Sequence, residues 1–357
     1  MTELSDKLRA LLLASLMLLP TASLAAPPEN LGQVSEPLAA WLIARPRPGA
    51  GSIDSLFGDF ARVTPFRAML KTAIAGDWKV LPAAAKEARY KAFVLVEETG
   101  WYLILDDTMN GLGPTVVLAP EARRDLIAEA PHPVFDGETV QETAVFVTHL
   151  GARAAVIAGT HRCAATRETT CSGKTGVCKQ WGKAAYRDSD VAHNTESLFH
   201  AAHVELTSYW PQAVAVSIHG FEKRASAPET WVVLADGGSA ESADTGSLTR
   251  RLRDQLRAGL AEGDARVVAC DDAADRRFGY PRLCATNNVQ GRHVNGGDDA
   301  CRNGVAHGNG RFLHIEQTRD IRDAFAASWR TPYESPVAKA VLDAFAHTIP
   351  CLPGRCP

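Results

Sequence analysis

From residue 125 onward, the chain alternates short apolar segments of strand character with longer segments of helical periodicity. Six apolar segments lie at 126–130, 154–159, 213–218, 230–236, 265–270 and 312–317. They are continuous runs of branched and small residues, as expected for strands that are buried on both faces. Helical patterns at 138–151, 194–210 and 246–263 separate several of them, with Ser247 and Gly151 as end signals. This alternation predicts a largely parallel sheet covered by helices on both faces.

The part of the chain before residue 125 predicts an addition to that sheet. Residues 66–76 have helical periodicity, and three segments rich in branched and aromatic residues follow at 91–98, 100–107 and 114–120. Turn residues separate these segments, which indicates antiparallel strands at one side of a mixed sheet. We therefore expect one large α/β domain over residues 66–357. Residues 26–65 are rich in Pro and Gly, so we expect an irregular N-terminal extension there.

The first 25 residues have the pattern of a cleaved signal peptide. Lys7 and Arg9 precede an apolar run at 11–20, and small residues follow it. The run is too short to span a bilayer comfortably. We expect cleavage after Ala25 or Ala26, no membrane anchor in the mature chain, and a periplasmic or secreted location.

All eight cysteines lie beyond this segment, and an even number in an exported protein predicts disulfides. The spacing favours local pairs such as Cys171–Cys178 and Cys351–Cys356, although the sequence does not fix the pairing. No Cys-x2-Cys motif is present, which disfavours zinc held by thiolates. The net charge is −3 and no basic block occurs, so the composition argues against a nucleic-acid-binding protein.

Polar residues follow four of the predicted strands. Pro131-His132 follows the first strand, Thr160-His161-Arg162 the second and His219-Gly220 the third, and Glu316 ends the last. Ligands of open α/β sheets bind in a crevice outside the carboxyl ends of the strands. These side chains are therefore expected to converge in one crevice.

Two histidines and a carboxylate in such a crevice predict a catalytic zinc site. Catalytic zinc typically takes three protein ligands, often two His and one carboxylate, and leaves a position for water. His132 and His219 are the expected histidine ligands. The third is a carboxylate shortly after His132: Asp136 is preferred, because its short spacer can turn it back toward the metal, and Glu138 is the alternative.

The remaining polar residues suggest roles around this metal. Glu316 stands in an otherwise apolar strand, where burial raises a carboxyl pKa toward the working range of a general base. Arg292, in a loop rich in Asn and Gly, is the candidate to stabilise charge on the substrate or on an oxyanion. The candidate substrate-binding residues are His161, Arg162, Asn288 and His193.

The order of these motifs resembles the zinc metallocarboxypeptidase superfamily. Within that superfamily, the sequence is most similar to the branch of N-formylglutamate amidohydrolases and poly-γ-glutamate hydrolases. The similarity lies in the order of four motifs: Pro-His, a carboxylate, a strand followed by His219-Gly220, and a strand ending in Ile315-Glu316. The resemblance covers about residues 90–348. It implies a mixed, mostly parallel sheet of about eight strands, zinc on His132 and His219, and catalysis by Glu316. The peptidase pattern His-x2-Glu is absent, because residue 135 is Phe.

Together these features predict an exported zinc-dependent hydrolase of peptide or N-acyl amino acid bonds, with a small and possibly cell-wall-derived substrate. A non-catalytic binding protein on a degenerate hydrolase fold is the alternative, since His-x2-Glu is missing. A serine hydrolase is disfavoured, because no Gly-x-Ser-x-Gly motif occurs. A second metal on His200 and His203 with Asp190 remains a further alternative.

Overall fold

The computed structural model describes residues 26–56, 60–109, 111–179, 181–223, 229–260, 266–276 and 283–356. The predicted signal peptide, residues 1–25, lies outside the described residues.

Ten strands form one sheet in the described part of the chain. They are β1 (Gly32–Val34), β2 (Tyr90–Glu97), β3 (Gly100–Asp107), β4 (Thr115–Leu118), β5 (Arg124–Ala130), β6 (Ala152–Ile157), β7 (Val214–Gly220), β8 (Val232–Ala235), β9 (Val267–Ala269) and β10 (Phe312–Gln317). Their spatial order is β1-β2-β3-β4-β6-β5-β7-β10-β8-β9. The four central strands β6, β5, β7 and β10 are mutually parallel, whereas β3 is antiparallel to both β2 and β4, and β4 is antiparallel to β6. The predicted mixed, mostly parallel α/β class is confirmed.

Ten α-helices cover the sheet within the same described residues. They are α1 (Leu38–Ile43), α2 (Val63–Ile74), α3 (Leu81–Glu87), α4 (Thr139–Val145), α5 (Leu198–Tyr209), α6 (Leu248–Gly259), α7 (Ala273–Arg276), α8 (Val289–Val294), α9 (Arg319–Ser328) and α10 (Pro336–Thr348). A π-helical turn, Phe146–Leu150, continues α4. Ser197, Ser247 and Ser335 cap the N-termini of α5, α6 and α10 through their side chains.

Alternating residues of the central strands contribute to separate cores on the two faces of the sheet. Leu126, Ala128 and Ala130 of β5 pack in the core that includes α4, α6, α9 and α10. Ile127 of the same strand packs in the core on the opposite face, which includes α2, α3 and α5. Because both faces are covered, the central strands are mostly apolar, and several of their few polar residues belong to the site.

The segment 26–65, for which we predicted an irregular extension, contains β1 and α1. β1 pairs in parallel with β2, from Gly32 opposite Phe93 to Val34 opposite Leu95. Leu38 and Leu42 of α1 are fully buried in the larger core. The Pro and Gly content obscured two short elements whose apolar residues complete one side of the domain.

Four disulfides close loops of very different length: Cys163–Cys178, Cys171–Cys301, Cys270–Cys284 and Cys351–Cys356. The predicted pair Cys351–Cys356 is present, whereas the predicted pair Cys171–Cys178 is wrong. Each of those two cysteines instead bonds a partner outside the short loop between them. No helix in the described part of the chain is long and apolar enough to cross a membrane.

Removal of the longest-range disulfide is expected to destabilise the fold more than removal of the shortest. Cys171 and Cys301 are 130 residues apart in sequence, whereas Cys351 and Cys356 are 5 apart. Loop-closure entropy gives about 5 kcal/mol for the former and about 2 kcal/mol for the latter. Denaturant unfolding of the two double Cys→Ala variants measures the difference, and equal losses would contradict the expectation.

Candidate metal centre

Three ligand-type atoms converge at the carboxyl ends of β5 and β7. His132 follows β5, His219 lies near the end of β7, and Asp136 lies in the loop after His132. The two Nδ1 atoms of the histidines are 3.1 Å apart. Asp136 Oδ2 lies 3.3 Å from Nδ1 of His132 and 3.1 Å from Nδ1 of His219. All three side chains are buried, and their atoms form a group that can hold a metal ion.

The spacing and chemistry of these atoms fit zinc. A tetrahedral zinc site with bonds of about 2.0–2.1 Å places its ligand atoms about 3.3–3.4 Å apart. Two imidazole nitrogens and one carboxylate oxygen also form a common donor set of catalytic zinc. Hydrogen bonds alone satisfy the group less well, because a proton on either Nδ1 can point at only one of its two close neighbours. His132, Asp136 and His219 would therefore hold the ion.

The charge states of His219 and Asp136 agree with this assignment. Burial and neighbouring His314 hold the pKa of His219 well below its usual value, so this ring is a neutral donor. Burial alone would raise the pKa of Asp136, but its hydrogen bonds to His132 and His219 lower it, so the carboxylate is ionised. Burial and Arg162 act to lower the pKa of His132, but the nearby carboxylates raise it overall. As a metal ligand, His132 would be in its neutral form.

Asp190 links His132 to a buried network. Its Oδ1 lies 2.8 Å from His132 Nε2 and 2.8 Å from His193 Nδ1. Arg162 donates to its Oδ2 from Nε and Nη2, over 3.1 and 2.6 Å. Burial alone would raise the pKa of Asp190, but the Arg162 guanidinium is the largest of the influences that hold it well below its usual value.

His132, Asp190 and His193 also have the spacing of a metal-binding group. The Arg162 cation bound to the same carboxylate disfavours a second cation there, and the side chains already satisfy one another. Asp190 instead occupies the position of the carboxylate that orients a metal-bound histidine. Ser217 Oγ lies 3.0 Å from His219 Nε2 and is in the equivalent position to orient the ring of the second histidine.

Asp190→Asn is expected to weaken zinc binding about 10–100-fold, because the carboxylate fixes the orientation and basicity of His132. Asp188→Asn is a matched control: Asp188 is also buried, but it binds Arg167 and Ser55. Competition with a chromophoric chelator measures both affinities. Equal affinities for Asp190→Asn and the wild type would contradict the assigned role.

The alternative third ligand, Glu138, does not join the histidines. Its carboxylate lies 3.4 Å from Arg322 Nη1 and 4.0 Å from Arg319 Nη2. Arg322 Nη1 also donates to the backbone carbonyls of Asp136 and Gly137, and so braces the loop that carries the ligand. Gly220 leaves room for this arginine, since a Cβ at that position would clash with Arg322 Nε.

Glu316 lies beside the histidine ligands on the neighbouring strand. β10 pairs in parallel with β7, and Glu316 is in register with His219. Its Oε1 lies 3.2 Å from His314 Nε2, while its buried Oε2 has no hydrogen-bond partner among the described residues. Burial raises the pKa of Glu316, although His314 partly offsets this. A carboxylate with one unsatisfied oxygen in this position can accept a proton from a bound water.

His161 and Arg162 form the side of the site next to the loop that carries Asp136. The His161 ring packs edge-on against Phe135, with centroids 5.4 Å apart, and Arg162 lies over the same ring at 5.2 Å. His161 Nδ1 accepts a hydrogen bond of 2.9 Å from the backbone N–H of Cys163. In the neutral ring the proton is then on Nε2, which becomes a donor. Burial and Arg162 lower the pKa of His161, which favours this neutral form.

Arg292 and Asn288, both predicted to serve the substrate, have structural roles instead. Arg292 Nη1 and Nη2 donate to Ser172 Oγ and Asn287 Oδ1, over 2.9 and 2.8 Å. Its Nε donates to the carbonyl of Thr286, so each guanidinium nitrogen has a partner in the surrounding loops. Asn288 caps α8, since its Oδ1 accepts from the Gly291 N–H at 2.8 Å. The Asn- and Gly-rich composition predicted a loop, but this stretch forms the short helix α8, and contacts from distant parts of the chain, such as Ser172, engage its arginine.

A second histidine cluster is formed by side chains of α5 and α8. The rings of His200, His203 and His293 have centroids 5.6 to 6.0 Å apart, and His203 Nδ1 is 2.7 Å from Glu129 Oε1. The candidate metal groups found among the described residues do not include this cluster. Asp190, the proposed partner of His200 and His203 in a second site, binds His132 and His193 instead. The structure gives no support to a second metal there.

Two residues that the sequence did not single out complete the site. His314 contacts the catalytic candidate Glu316, and its ring lies 4.4 Å from that of His219. Tyr186 stacks on His193 with centroids 3.7 Å apart. The alternation of His314 and Glu316 along an apolar strand, which places both on one face, was the available signal for the first. Tyr186 had none, because it lies in the irregular loop between β6 and α5.

No family model and no curated protein matches this chain. Among solved structures, N-formylglutamate amidohydrolase from Ralstonia eutropha is similar at 13% identity and a TM-score of 0.34, over 66% of this chain and 98% of that one. A gene product from Agrobacterium tumefaciens is similar at 14% identity and a TM-score of 0.34, over 64% and 95%. Likenesses this distant carry no argument about function, which must come from the site itself.

Proposed function

We propose that this protein is an exported zinc-dependent hydrolase of amide bonds in peptides or N-acyl amino acids. One observation carries the proposal: a zinc-type ligand group and a buried carboxylate with a free oxygen lie on neighbouring strands of the same sheet. His132, Asp136 and His219 provide the first, and Glu316 provides the second. A protein that only binds its ligand has no need of such a carboxylate.

Zinc at this position would supply a Lewis acid that acidifies water and polarises a carbonyl. Glu316 takes a proton from the attacking water as the oxygen adds to the carbonyl carbon. It then delivers the proton to the nitrogen of the breaking carbon–nitrogen bond, which leaves as an amine. The products are a carboxylate and an amine.

The other residues of the site hold these groups and the substrate in place. His161 Nε2–H is a neutral donor that can stabilise the negative charge that develops on the carbonyl oxygen. Asp190 and Ser217 fix the two histidine rings, and Arg322 fixes the loop of Asp136. Arg162 is engaged by Asp190, so it stabilises the network rather than serving as an independent anion clamp.

A substrate screen on purified protein with intact disulfides tests the proposal. N-acyl amino acids and short peptides are incubated with the zinc-reconstituted protein, with chelated protein, and with chelated protein to which zinc or calcium has been returned. We expect hydrolysis that chelation abolishes and that zinc restores but calcium does not, because calcium prefers six to eight oxygen ligands. Hydrolysis that chelation leaves unchanged would overturn the zinc mechanism.

A further inference from the structure

An open pocket lies on the same rim of the sheet as the metal centre, but over other strands. Residues of β2, β3 and β4 line it, together with Gly159 just after β6, and its volume is about 250 Å³. The metal ligands His132 and His219 belong to β5 and β7 and to the segment after β5, on the other side of β6 in the sheet order. No step of the proposed hydrolysis uses this pocket.

The segment Arg45-Pro46-Arg47-Pro48, which follows α1, contributes two guanidinium groups to the pocket. A residue before proline is restricted to extended conformations, and proline fixes its own φ angle. The backbone carbonyl of Pro48 also accepts a hydrogen bond of 3.0 Å from the N–H of His161, which fixes the segment to the end of β6. The backbone that carries the two arginines therefore has little freedom to lose when a ligand binds.

Arg47 is a partly buried cation whose described hydrogen-bond partners are all uncharged. Its Nε, Nη1 and Nη2 donate to the carbonyls of Ala158, Arg45 and Leu42, over 3.4, 3.3 and 3.0 Å. A guanidinium has five N–H donors, so one donor on each Nη remains for a ligand. Burial lowers the pKa of Arg47 to about 10, and Asp106 only partly offsets this. A bound anion would compensate the cost of burying this charge.

The two carboxylates of the pocket are already engaged by other side chains. Asp107 forms an ion pair with Arg62. Asp106 Oδ2 lies 3.6 Å from Arg45 Nη1, and its Oδ1 accepts a hydrogen bond of 2.9 Å from Thr115 Oγ1. Each acidic residue that lines the pocket therefore has a cation of its own.

Lys91, at the start of β2, adds a second cation to the pocket. Its side chain is exposed, and it lies opposite Asp106 in the register of β2 and β3. That carboxylate is taken by Arg45, and among the described residues neither Lys91 nor Arg47 forms an ion pair. The pocket is therefore left with about two uncompensated positive charges, which favours a dianion as its ligand.

We propose that this pocket is a binding site for a phosphate group, held by Arg47 and Lys91 as inorganic phosphate or as a phosphate monoester. A phosphate group carries a charge of about −1.5 to −2 at pH 7, which matches the two cations, whereas a single carboxylate carries one negative charge. The two remaining donors of Arg47 can reach two oxygens of one phosphate, and Lys91 supplies a point charge for a third. The site is separate from the metal centre and does not depend on the proposed function.

Isothermal titration of the zinc-reconstituted protein with inorganic phosphate, glycerol 1-phosphate and acetate tests the site at low ionic strength. The pocket variants are Lys91→Gln and Arg47→Lys, which keeps the charge but loses the paired donors. Lys79→Gln is the matched control, because Lys79 is also exposed but does not line the pocket. We expect each pocket variant to raise the Kd for phosphate about tenfold, and the control to bind phosphate as the wild type does. Tighter binding of the monoester than of phosphate would identify an organic phosphate as the ligand, and equal binding would identify the free ion.

Phosphate binding that both pocket variants leave unchanged would overturn the proposal, as would acetate bound as tightly as phosphate or a wild type that binds no phosphate. Lys91→Gln keeps the test decisive if Arg47→Lys fails to fold, because the Lys91 side chain is exposed and has no described hydrogen bond or ion pair. Asp136→Ala separates the pocket from the metal centre: we expect this variant to retain phosphate binding, and loss of binding would place the anion at the metal centre and overturn the proposal.

Discussion

Asp136→Ala is expected to abolish stoichiometric zinc binding, whereas Glu138→Ala leaves it intact. Asp136 Oδ2 lies within 3.3 Å of both Nδ1 atoms, while the Glu138 carboxylate is turned toward Arg322. Loss of one of three protein ligands weakens binding more than loss of an outer partner, which costs about 10–100-fold. Zinc affinity from chelator competition, with the two variants side by side, distinguishes the carboxylates.

The two variants are well matched, because both remove a carboxylate from the same short loop. Thermal unfolding must accompany the measurement, since Glu138 contributes to the contacts of Arg322 that brace this loop. A stable Glu138→Ala variant without zinc, beside an Asp136→Ala variant that retains it, would reverse the ligand assignment.

Glu316→Gln is expected to lower kcat about 10²–10⁴-fold while zinc remains bound, which is the range for loss of a general acid–base group. The amide retains the size of the side chain, but it cannot accept and return a proton. Glu316 Oε2 has no hydrogen-bond partner among the described residues, so the substitution removes no other described contact of that oxygen. Steady-state kinetics on an amide substrate and metal analysis of the same sample provide the two readouts.

Glu129→Gln is the control for this substitution. Glu129 is another fully buried carboxylate on the same face of the sheet, but its partner is His203 rather than the metal ligands. Loss of activity in the control equal to that in Glu316→Gln would indicate a general effect of removing buried charge. An unchanged kcat in Glu316→Gln would remove the general base from the mechanism.

The fold was predictable from the sequence because two signals were strong: the long apolar runs of the central strands and the helical periodicity between them. Long apolar runs such as 154–159 and 213–218 cannot be surface strands, and helical segments between them leave few alternatives to a covered parallel sheet. β1 and α1 were missed because each is too short for its periodicity to stand out among prolines and glycines. Their positions depend on contacts with β2 and α4, which are distant in sequence.

The residues of the candidate site were likewise predictable only where they lie at the ends of strands. His132, His219 and Glu316 each follow or end a strand, so the rule for the carboxyl ends of parallel strands placed them together. Arg292 lies in the short helix α8, whose N-terminus Asn288 caps, and only the folded chain shows which carbonyls surround its guanidinium. The disulfide pairing was unpredictable for a related reason. Cys171 and Cys301 are brought together by two loops whose conformations have no signal in the sequence.

The metal content of the protein tests the central claim most directly. Elemental analysis is made on protein purified from an oxidising compartment and reconstituted with zinc, beside His132→Ala and His219→Ala. The account predicts one zinc ion per wild-type chain and none in either variant. A wild-type chain that binds no zinc after reconstitution would contradict the account.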